Sequence, residues 1–296
     1  MNKNIVIYRY HNNFELVYQR LKLIKLYDPE IKIYGIYGGN KDAFQEATNT
    51  LAEFLENNFI IPIEDGRWKW LHADLTYKLW YSQIGKHIDF DFAFILEWDL
   101  LIMGSLTDIY PPLEADTLYC TGLIPIEKIK RFWFWTDVNN KPLIDSFVDK
   151  TQNLFKKKII PYASLGPGLC APKSFFEGLL NLEIFEAYIT DEVKIPIWAQ
   201  IIGLKIKNNN FYNKWFSYFE MKYFNANVLN ISDKVVSKEM TKKNGRHAFH
   251  PYREGTSAEE LYSLYLSSKP QKCSKVKDVN VIHPSTYRIH CKLLKM

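Results

Sequence analysis

The chain has little cysteine and no long uncharged hydrophobic run. Its four cysteines are far apart and form no Cys-x-x-Cys pair, which argues against a disulfide framework or a zinc site and fits a reducing compartment. The most apolar stretch, residues 92–106, is interrupted by Glu97 and Asp99, so it is not a membrane span. No N-terminal segment has the usual form of a signal peptide. We expect a cytoplasmic protein, with peripheral attachment to the inner face of a membrane as an open alternative.

Three widespread motifs are also missing. No Gly-x-Gly-x-x-Gly follows the first predicted strand and no Walker loop is present, which disfavours dinucleotide-binding and P-loop proteins. The absence of a Gly-x-Ser-x-Gly elbow disfavours serine hydrolases. With 47% hydrophobic and 24% charged residues, the composition predicts an ordinary globular protein with an ample core.

The hydrophobic pattern predicts alternating strands and helices. Strands are predicted at residues 4–10, 31–37, 59–63, 92–96, 116–122 and 204–206, and a glycine-marked loop leads into a strand within 162–173. Helices are predicted near 16–28, 41–57, 70–86, 174–182 and 190–203, whereas 124–158 has no clear pattern before its final helical stretch. This alternation is typical of a parallel sheet with helices on its faces. We predict a single-domain α/β fold with a mainly parallel, Rossmann-like central sheet.

Positive charge is concentrated near the C-terminus. The net charge is +5, and residues 236–296 contain 12 Lys/Arg against 5 Asp/Glu. We predict a main domain at 1–253 and a basic extension at 254–296 that packs on or near it. Such a tail can attract anionic lipid, a diphosphate or nucleic acid, or it can form an ordinary solvated surface. We keep membrane contact open and do not expect nucleic acid as a partner.

Two carboxylates end the most apolar predicted strand. Five apolar residues at 92–96 are followed by Glu97, Trp98 and Asp99. Side chains at i and i+2 of an extended chain point to one side, so Glu97 and Asp99 can face one ion while Trp98 points away. The carboxyl end of a buried strand is where open α/β sheets bind ligands, and oxygen ligands suit Mg²⁺ or Mn²⁺. The alternative is a loop with two ordinary surface acids.

At this point the chain resembles the GT-A glycosyltransferases, in which an acidic motif of the Asp-x-Asp type ends a central strand. The resemblance covers roughly residues 4–253 as an order of parts, without close sequence identity. It implies a GT-A-like catalytic domain at 1–253, with nucleotide-binding strands and helices at 4–65. It also implies an acceptor-side loop formed by Gly166, Pro167 and Gly168.

The resemblance implies roles for two later segments. Thr190-Asp191-Glu192 resembles the helix start that carries the general base of inverting members, with Glu192 preferred over Asp191. The alternative is acidic charge that complements the helix dipole. His250 is implied as a metal ligand that closes the site, and Arg246 and Arg253 as donors to the diphosphate.

The remaining candidates concern the nucleotide. Tyr8, Arg9 and Tyr10 end the first predicted strand at the ligand-binding edge, where a ring can stack on a base. Asp65 follows the third predicted strand and can accept a hydrogen bond from a base, and Trp98 is assigned to the same donor site. Core packing for the tyrosines and turn chemistry for Asp65 are the structural alternatives.

Together these features predict a hexosyltransferase-like enzyme dependent on Mn²⁺ or Mg²⁺. It would transfer a sugar from a nucleotide-diphosphate donor, a UDP- or GDP-sugar, to a hydroxyl of a glycan or lipid-linked acceptor, with inversion. A retaining enzyme stays open, as does a nucleotidyltransferase on a similar core, although residues 9–13 lack the glycines of a phosphate loop. A carbohydrate- or nucleic-acid-binding module without chemistry is the alternative from another class.

Overall fold

A computed structural model describes residues 3–129 and 133–269. The strands within these ranges are β1 (Ile5–Tyr10), β2 (Lys32–Tyr37), β3 (Leu55–Ile60), β4 (Phe92–Glu97), β5 (Leu101–Ile102), β6 (Thr117–Pro125), β7 (Tyr162–Pro172), β8 (Lys205–Asn208) and β9 (Ala248–Phe249). The α-helices are α1 (Phe14–Tyr27), α2 (Phe44–Leu51), α3 (Gly66–Leu71), α4 (Ala73–Gln83), α5 (Leu106–Ile109), α6 (Lys141–Phe155), α7 (Lys173–Asn181), α8 (Asp191–Ile202), α9 (Tyr218–Met221), α10 (Asp233–Met240) and α11 (Ala258–Ser268).

The main sheet contains seven of the described strands in the order β3-β2-β1-β4-β7-β6-β8. The pairs β1–β2, β1–β4, β2–β3 and β6–β8 are parallel, whereas β7 runs antiparallel to β4 and β6. The predicted α/β fold with a mainly parallel central sheet is therefore confirmed. Its reversed strand, β7, is the glycine-marked segment of the sequence.

Several predicted boundaries were wrong. β3 spans Leu55–Ile60 instead of 59–63, and the helix predicted at 41–57 ends earlier, as α2 at Leu51. The reason is that β3 is an edge strand whose first residues face solvent, so its polar sequence shows no apolar run. The helix predicted at 70–86 is divided into α3 and α4, because the backbone of His72 leaves the helical region at φ −121°, ψ 48°.

The topology locates a ligand-binding edge. The sheet extends from β1 through β2 to β3 on one side and through β4 on the other, so the strand order reverses between β1 and β4. Arg9 stands opposite Glu97 in the parallel register of these two strands. Open α/β sheets bind ligands in the crevice at such a switch point.

The core lies on both faces of the sheet. Ala93 and Ile95 of β4 pack on the face covered by Trp80 of α4 and Trp198 of α8. Phe94 packs on the other face, in the cluster that includes Leu21 of α1 and Leu51 of α2. A strand buried on both faces reads as a continuous apolar run, which is why the central strand was predictable.

Helix α11, near the C-terminal end of the described residues, packs on α1. Leu261 and Tyr265 of α11 share a buried cluster with Leu23 of α1. Residues 270–296 of the predicted basic extension lie outside the described residues, so the domain boundary and any membrane contact of the extension stay predictions. No helix within 3–129 and 133–269 combines the length and apolarity needed to cross a membrane.

Candidate functional site

A cleft of about 1510 Å³ lies at the switch point between β1 and β4. Four separate parts of the chain bring seven of its ionisable residues together: the end of β1, the end of β4, the first turn of α8 and the loop after β9. These residues are Arg9, Glu97, Asp99, Asp191, Glu192, His250 and Arg253. The fold therefore brings the predicted metal ligands and the predicted base into one cavity.

Glu97, Asp99 and His250 form a candidate metal group. Each offers one ligand atom, and these atoms all lie within 4.8 Å of one another. The Nδ1 of His250 lies 2.8 Å from the backbone carbonyl oxygen of Asn225. Since a carbonyl can only accept, Nδ1 carries a proton, and in the neutral ring Nε2 is then left with a lone pair. Such an anchored imidazole is typical of a metal-ligating histidine.

The environment of this nitrogen fits a cation. Nε2 of His250 is buried, makes no hydrogen bond within the described part of the chain, and lies 3.3 Å from Oδ1 of Asp99. A buried polar atom without a hydrogen-bond partner is costly. A divalent ion shared with the two carboxylates would satisfy it, so these residues fit Mg²⁺ or Mn²⁺.

Asp99 is the most constrained of the three ligands. It is only 3% exposed, and Oδ2 accepts from Nε and Nη2 of Arg253 at 3.1 and 2.8 Å. Burial alone would raise the pKa of Asp99, but the positive charges of a protonated His250 and of Arg253 offset it and hold the pKa below its ordinary value. The guanidinium of Arg253 also lies 5.4 Å from the ring centre of Trp98, so Trp98 supports the residue that anchors Asp99.

Arg9 connects the metal group with the acids of α8. Its Nη1 donates to Oε1 of Glu97 at 3.0 Å and to the hydroxyl of Tyr77 at 3.3 Å. The same nitrogen lies 3.9 Å from Oδ2 of Asp191. The register of β1 against β4 places this arginine between the two sets of carboxylates.

The first turn of α8 is tied to β7. The hydroxyl of Thr190 caps the helix by accepting from the amide of Glu192 at 3.2 Å, a usual N-cap arrangement. The side chain of Glu192 then accepts from the amide of Gly166 at 3.1 Å. Gly166 and Pro167 line the cleft, so the predicted acceptor loop and the predicted base are in direct contact.

The two acids have unusual proton affinities. Burial raises the pKa of Asp191 to about 6, and burial together with the charge of Asp191 raises the pKa of Glu192 to about 8. Because the charge of Asp191 acts on Glu192, the two buried carboxylates titrate as a pair. Near neutral pH the pair therefore keeps one proton, chiefly on Glu192, while Asp191 is charged beside Arg9.

Replacing Glu192 is expected to flatten the dependence of stability on pH. With a folded pKa near 8 against an ordinary 4.5, the native state holds a proton that the unfolded chain releases. The free energy of unfolding should therefore fall as the pH rises from about 5 to about 8, by roughly a few kcal/mol. Glu192→Gln should lose less stability over this interval in denaturant titrations, and the exposed Glu30→Gln should follow the wild type. Identical slopes for Glu192→Gln and wild type would contradict the raised pKa.

Two predicted nucleotide ligands are absent from the cleft lining in the described part of the chain. Tyr8 is 1% exposed and packs in the core, because its position in β1 faces the helices. Asp65 is exposed and caps α3 by accepting from the amide of Arg67 at 2.8 Å. The observed contacts of Tyr8 and Asp65 are thus those of the structural alternatives, core packing and turn chemistry. Arg9, Tyr10 and Trp98, in contrast, do line the cleft.

Arg246 and Gly168 are likewise placed outside the lining formed by the described residues. Arg246 pairs with Glu220 and donates to the carbonyl of Phe211, so its charge is used within the protein. Gly168 has φ +86°, and a Cβ there would lie 2.8 Å from the ring of Phe211. Its glycine is therefore required by backbone conformation and close packing.

Sequence reasoning missed a buried charged network beneath α8. The Nζ of Lys194 lies 2.9 Å from Oδ1 of Asp74 and 2.6 Å from Nδ1 of His72, and Trp198 donates to the other oxygen of Asp74 at 2.8 Å. Lys194, Asp74 and His72 are fully buried. Burial and the charge of Lys194 lower the pKa of His72, so its neutral ring accepts from the lysine. A lysine within the apolar run at 193–199 of α8 was the available signal.

The chain matches no protein-family model and no curated protein. Among solved structures it is similar to galactosyltransferase LgtC crystallised with donor and acceptor sugar analogs, with 12% identity, 89% of this chain and 95% of that chain covered, and a TM-score of 0.42. A crystal structure of an active-site mutant of LgtC gives 15% identity, the same coverage and a TM-score of 0.44. At these values the likeness does not define a family for this chain.

Proposed function

We propose that this protein is a metal-dependent glycosyltransferase that moves a sugar from a nucleotide-diphosphate donor to an acceptor hydroxyl. The observation that supports it best is the close placement, in one cleft at the switch point, of the candidate metal group and the buried acid pair of α8. Transfer from a diphosphate needs positive charge at the leaving group and a proton acceptor at the attacking hydroxyl. The cleft offers residues for both tasks.

The leaving-group side would be formed by Glu97, Asp99 and His250 around Mn²⁺ or Mg²⁺. When bound, the ion would neutralise charge on the departing diphosphate. Arg253 lies beside this group with 39% of its side chain exposed, and its guanidinium suits phosphate oxygens. The cleft continues past the ends of β1 and β2, where His11, Asn12 and Asn40 line it, and we assign the nucleotide to this part.

The acceptor side would be served by Asp191 and Glu192. The pair holds one proton near neutral pH, chiefly on Glu192, so the charged Asp191, and not the Glu192 preferred from the sequence, would take the proton of the attacking hydroxyl. Arg9 stabilises the charge on Asp191, and the amide of Gly166 orients Glu192. A carboxylate that acts directly on the acceptor oxygen favours single displacement, hence inversion. The proposal is also compatible with a cytoplasmic donor pool and a glycan or lipid-linked acceptor.

A thermal-shift panel tests this function. With UDP- and GDP-sugars, with and without Mn²⁺, one donor is expected to raise the melting temperature by several degrees only when the metal is present, because a ligand at 100 times its Kd stabilises the native state by about 2.7 kcal/mol. Nucleoside triphosphates serve as the comparison. A metal-dependent shift with triphosphates and release of pyrophosphate would instead indicate a nucleotidyltransferase, and no shift with any donor would contradict the proposal.

A further inference from the structure

We infer that one wall of the cleft is a stacking subsite for a pyranose ring of the acceptor, so that the acceptor is a carbohydrate. This inference rests on the proposed glycosyl transfer and names the substrate class of its acceptor side. The wall consists of Trp70, Phe134 and Trp135, and we call it the aromatic wall. All three residues line the same cleft as the metal group and the acid pair.

The aromatic wall exposes apolar surface that the fold could have buried. Trp70 is 58% exposed and Phe134 is 63% exposed. Burying a large apolar side chain contributes about 1.5–3 kcal/mol, and this contribution is largely lost at both positions. Apolar groups gathered on the wall of a cleft mark binding surfaces more often than scattered ones do. The wall is therefore a ligand-facing feature.

The three rings form a preassembled surface. The ring centres of Trp70 and Trp135 are 5.6 Å apart at 37°, and those of Phe134 and Trp135 are 5.2 Å apart at 75°. A ring inserted between two others needs a contact of about 3.5–4.0 Å on each side, so a ligand must lie on the outer faces. Since the rings already pack against one another, their side chains lose little further conformational entropy when a ligand binds.

The aromatic wall is fixed relative to the acid pair. Trp68 of α3 donates from Nε1 to Glu186 at 3.0 Å. His72, directly after α3, contacts the Nζ of Lys194 at 2.6 Å. Trp70 lies between these two anchored residues, and their partners flank Asp191 and Glu192 in sequence. A ring stacked on Trp70 is thus held on a segment that two contacts join to the part of the chain carrying Asp191 and Glu192.

The chemistry of the wall selects among possible ligands. A pyranose has an apolar face of C–H groups and a rim of hydroxyls, which matches an aromatic face bordered by polar groups. Glu64 and Lys69 border the same cleft. The ammonium of Lys69 donates to the carbonyl of Gly39 at 3.0 Å and keeps further N–H donors for a hydroxyl, whereas an acyl chain would gain nothing from either residue. A nucleobase also stacks on aromatic rings, so the experiment must separate acceptor from donor effects.

The test uses Trp70→Ala and Phe134→Ala, with Trp70→Phe as the conservative variant and Tyr218→Ala as the matched control. Tyr218 is an exposed aromatic residue that does not line the described cleft. Lactose, cellobiose and maltose are the acceptor probes, together with the donor found by thermal shift. Trp70→Ala and Phe134→Ala should raise the acceptor KM about tenfold, well beyond any change in the donor KM. Trp70→Phe should recover most of the loss, and Tyr218→Ala should behave as wild type.

The outcomes separate this inference from the proposed function. Unchanged acceptor KM values in Trp70→Ala and Phe134→Ala would overturn the subsite while leaving glycosyl transfer intact, and so would a rise confined to the donor KM. Saturation-transfer NMR with the same disaccharides tests the wall without turnover. Saccharide contact that is present in wild type and lost in Trp70→Ala would support the subsite even if the donor panel fails. No saccharide contact and no transfer to saccharides in wild type would overturn it.

Discussion

Asp99→Asn is expected to reduce Mn²⁺-stimulated donor turnover by about 10³-fold. The amide keeps the shape of the side chain and an oxygen that can accept from Arg253, but it removes the negative charge from the candidate metal group. Metal stabilisation of a leaving group contributes several kcal/mol, and about 4 kcal/mol corresponds to about 10³ in rate. Turnover is measured as release of nucleoside diphosphate from the donor identified by thermal shift.

Calorimetric titration with Mn²⁺ provides the second readout for this variant. Affinity should fall together with turnover, while the far-UV circular dichroism spectrum stays that of the wild type. Asp149→Asn, an exposed carboxylate on α6, is the matched control and should retain both metal affinity and activity. Full turnover with undiminished Mn²⁺ affinity in Asp99→Asn would remove Asp99 from the metal group.

The second large effect is on stability. Lys194→Met is expected to lower the free energy of unfolding by about 3–5 kcal/mol, because it leaves the carboxylate of Asp74 buried without its countercharge. Both side chains are fully buried, so water cannot replace the lost partner. The measurement is the midpoint of guanidinium unfolding at constant m-value.

A surface pair and a double variant make this test specific. Lys141→Met removes the exposed pair of Lys141 with Asp145 and should cost no more than about 1 kcal/mol. Combining Lys194→Met with Asp74→Asn should recover much of the loss, since no unpaired charge remains and the amide oxygen can still accept from Trp198. A cost below 1 kcal/mol for Lys194→Met alone would show that Asp74 is satisfied without the lysine.

The sequence was sufficient to predict the central strand and the acids that follow it. A strand covered on both faces must be apolar throughout, so the abrupt change at Glu97 was visible without any structure. The N-cap of α8 was predictable for a similar reason, because Thr190 and the two acids form a local pattern. Local chemistry thus predicted both ends of the candidate site.

Contacts between residues that are far apart in the chain could not be predicted from local sequence patterns. Arg246 and Arg253 are equally plausible phosphate ligands in the sequence, but only Arg253 reaches the cleft while Arg246 pairs with Glu220. The network of Lys194 with Asp74 and His72 joins residues more than a hundred positions apart. Trp70 and Trp135 meet across 65 positions, which no helical or strand periodicity encodes. The partners of all these residues depend on how whole helices and strands pack against one another.

Because β7 is antiparallel to its neighbours, the sheet holds the backbone next to the acid pair, whereas a connecting segment carries part of the aromatic wall. Because β7 is antiparallel to β4, Leu169 pairs with Ile95 and Gly166 reaches the end of β4 as part of a hydrogen-bonded strand. The backbone donor to Glu192 is therefore held by the sheet. The aromatic wall, in contrast, draws Phe134 and Trp135 from the connection between β6 and α6. Under the proposed function, mutational drift in that connection would change which acceptor is chosen without moving the acid pair of α8.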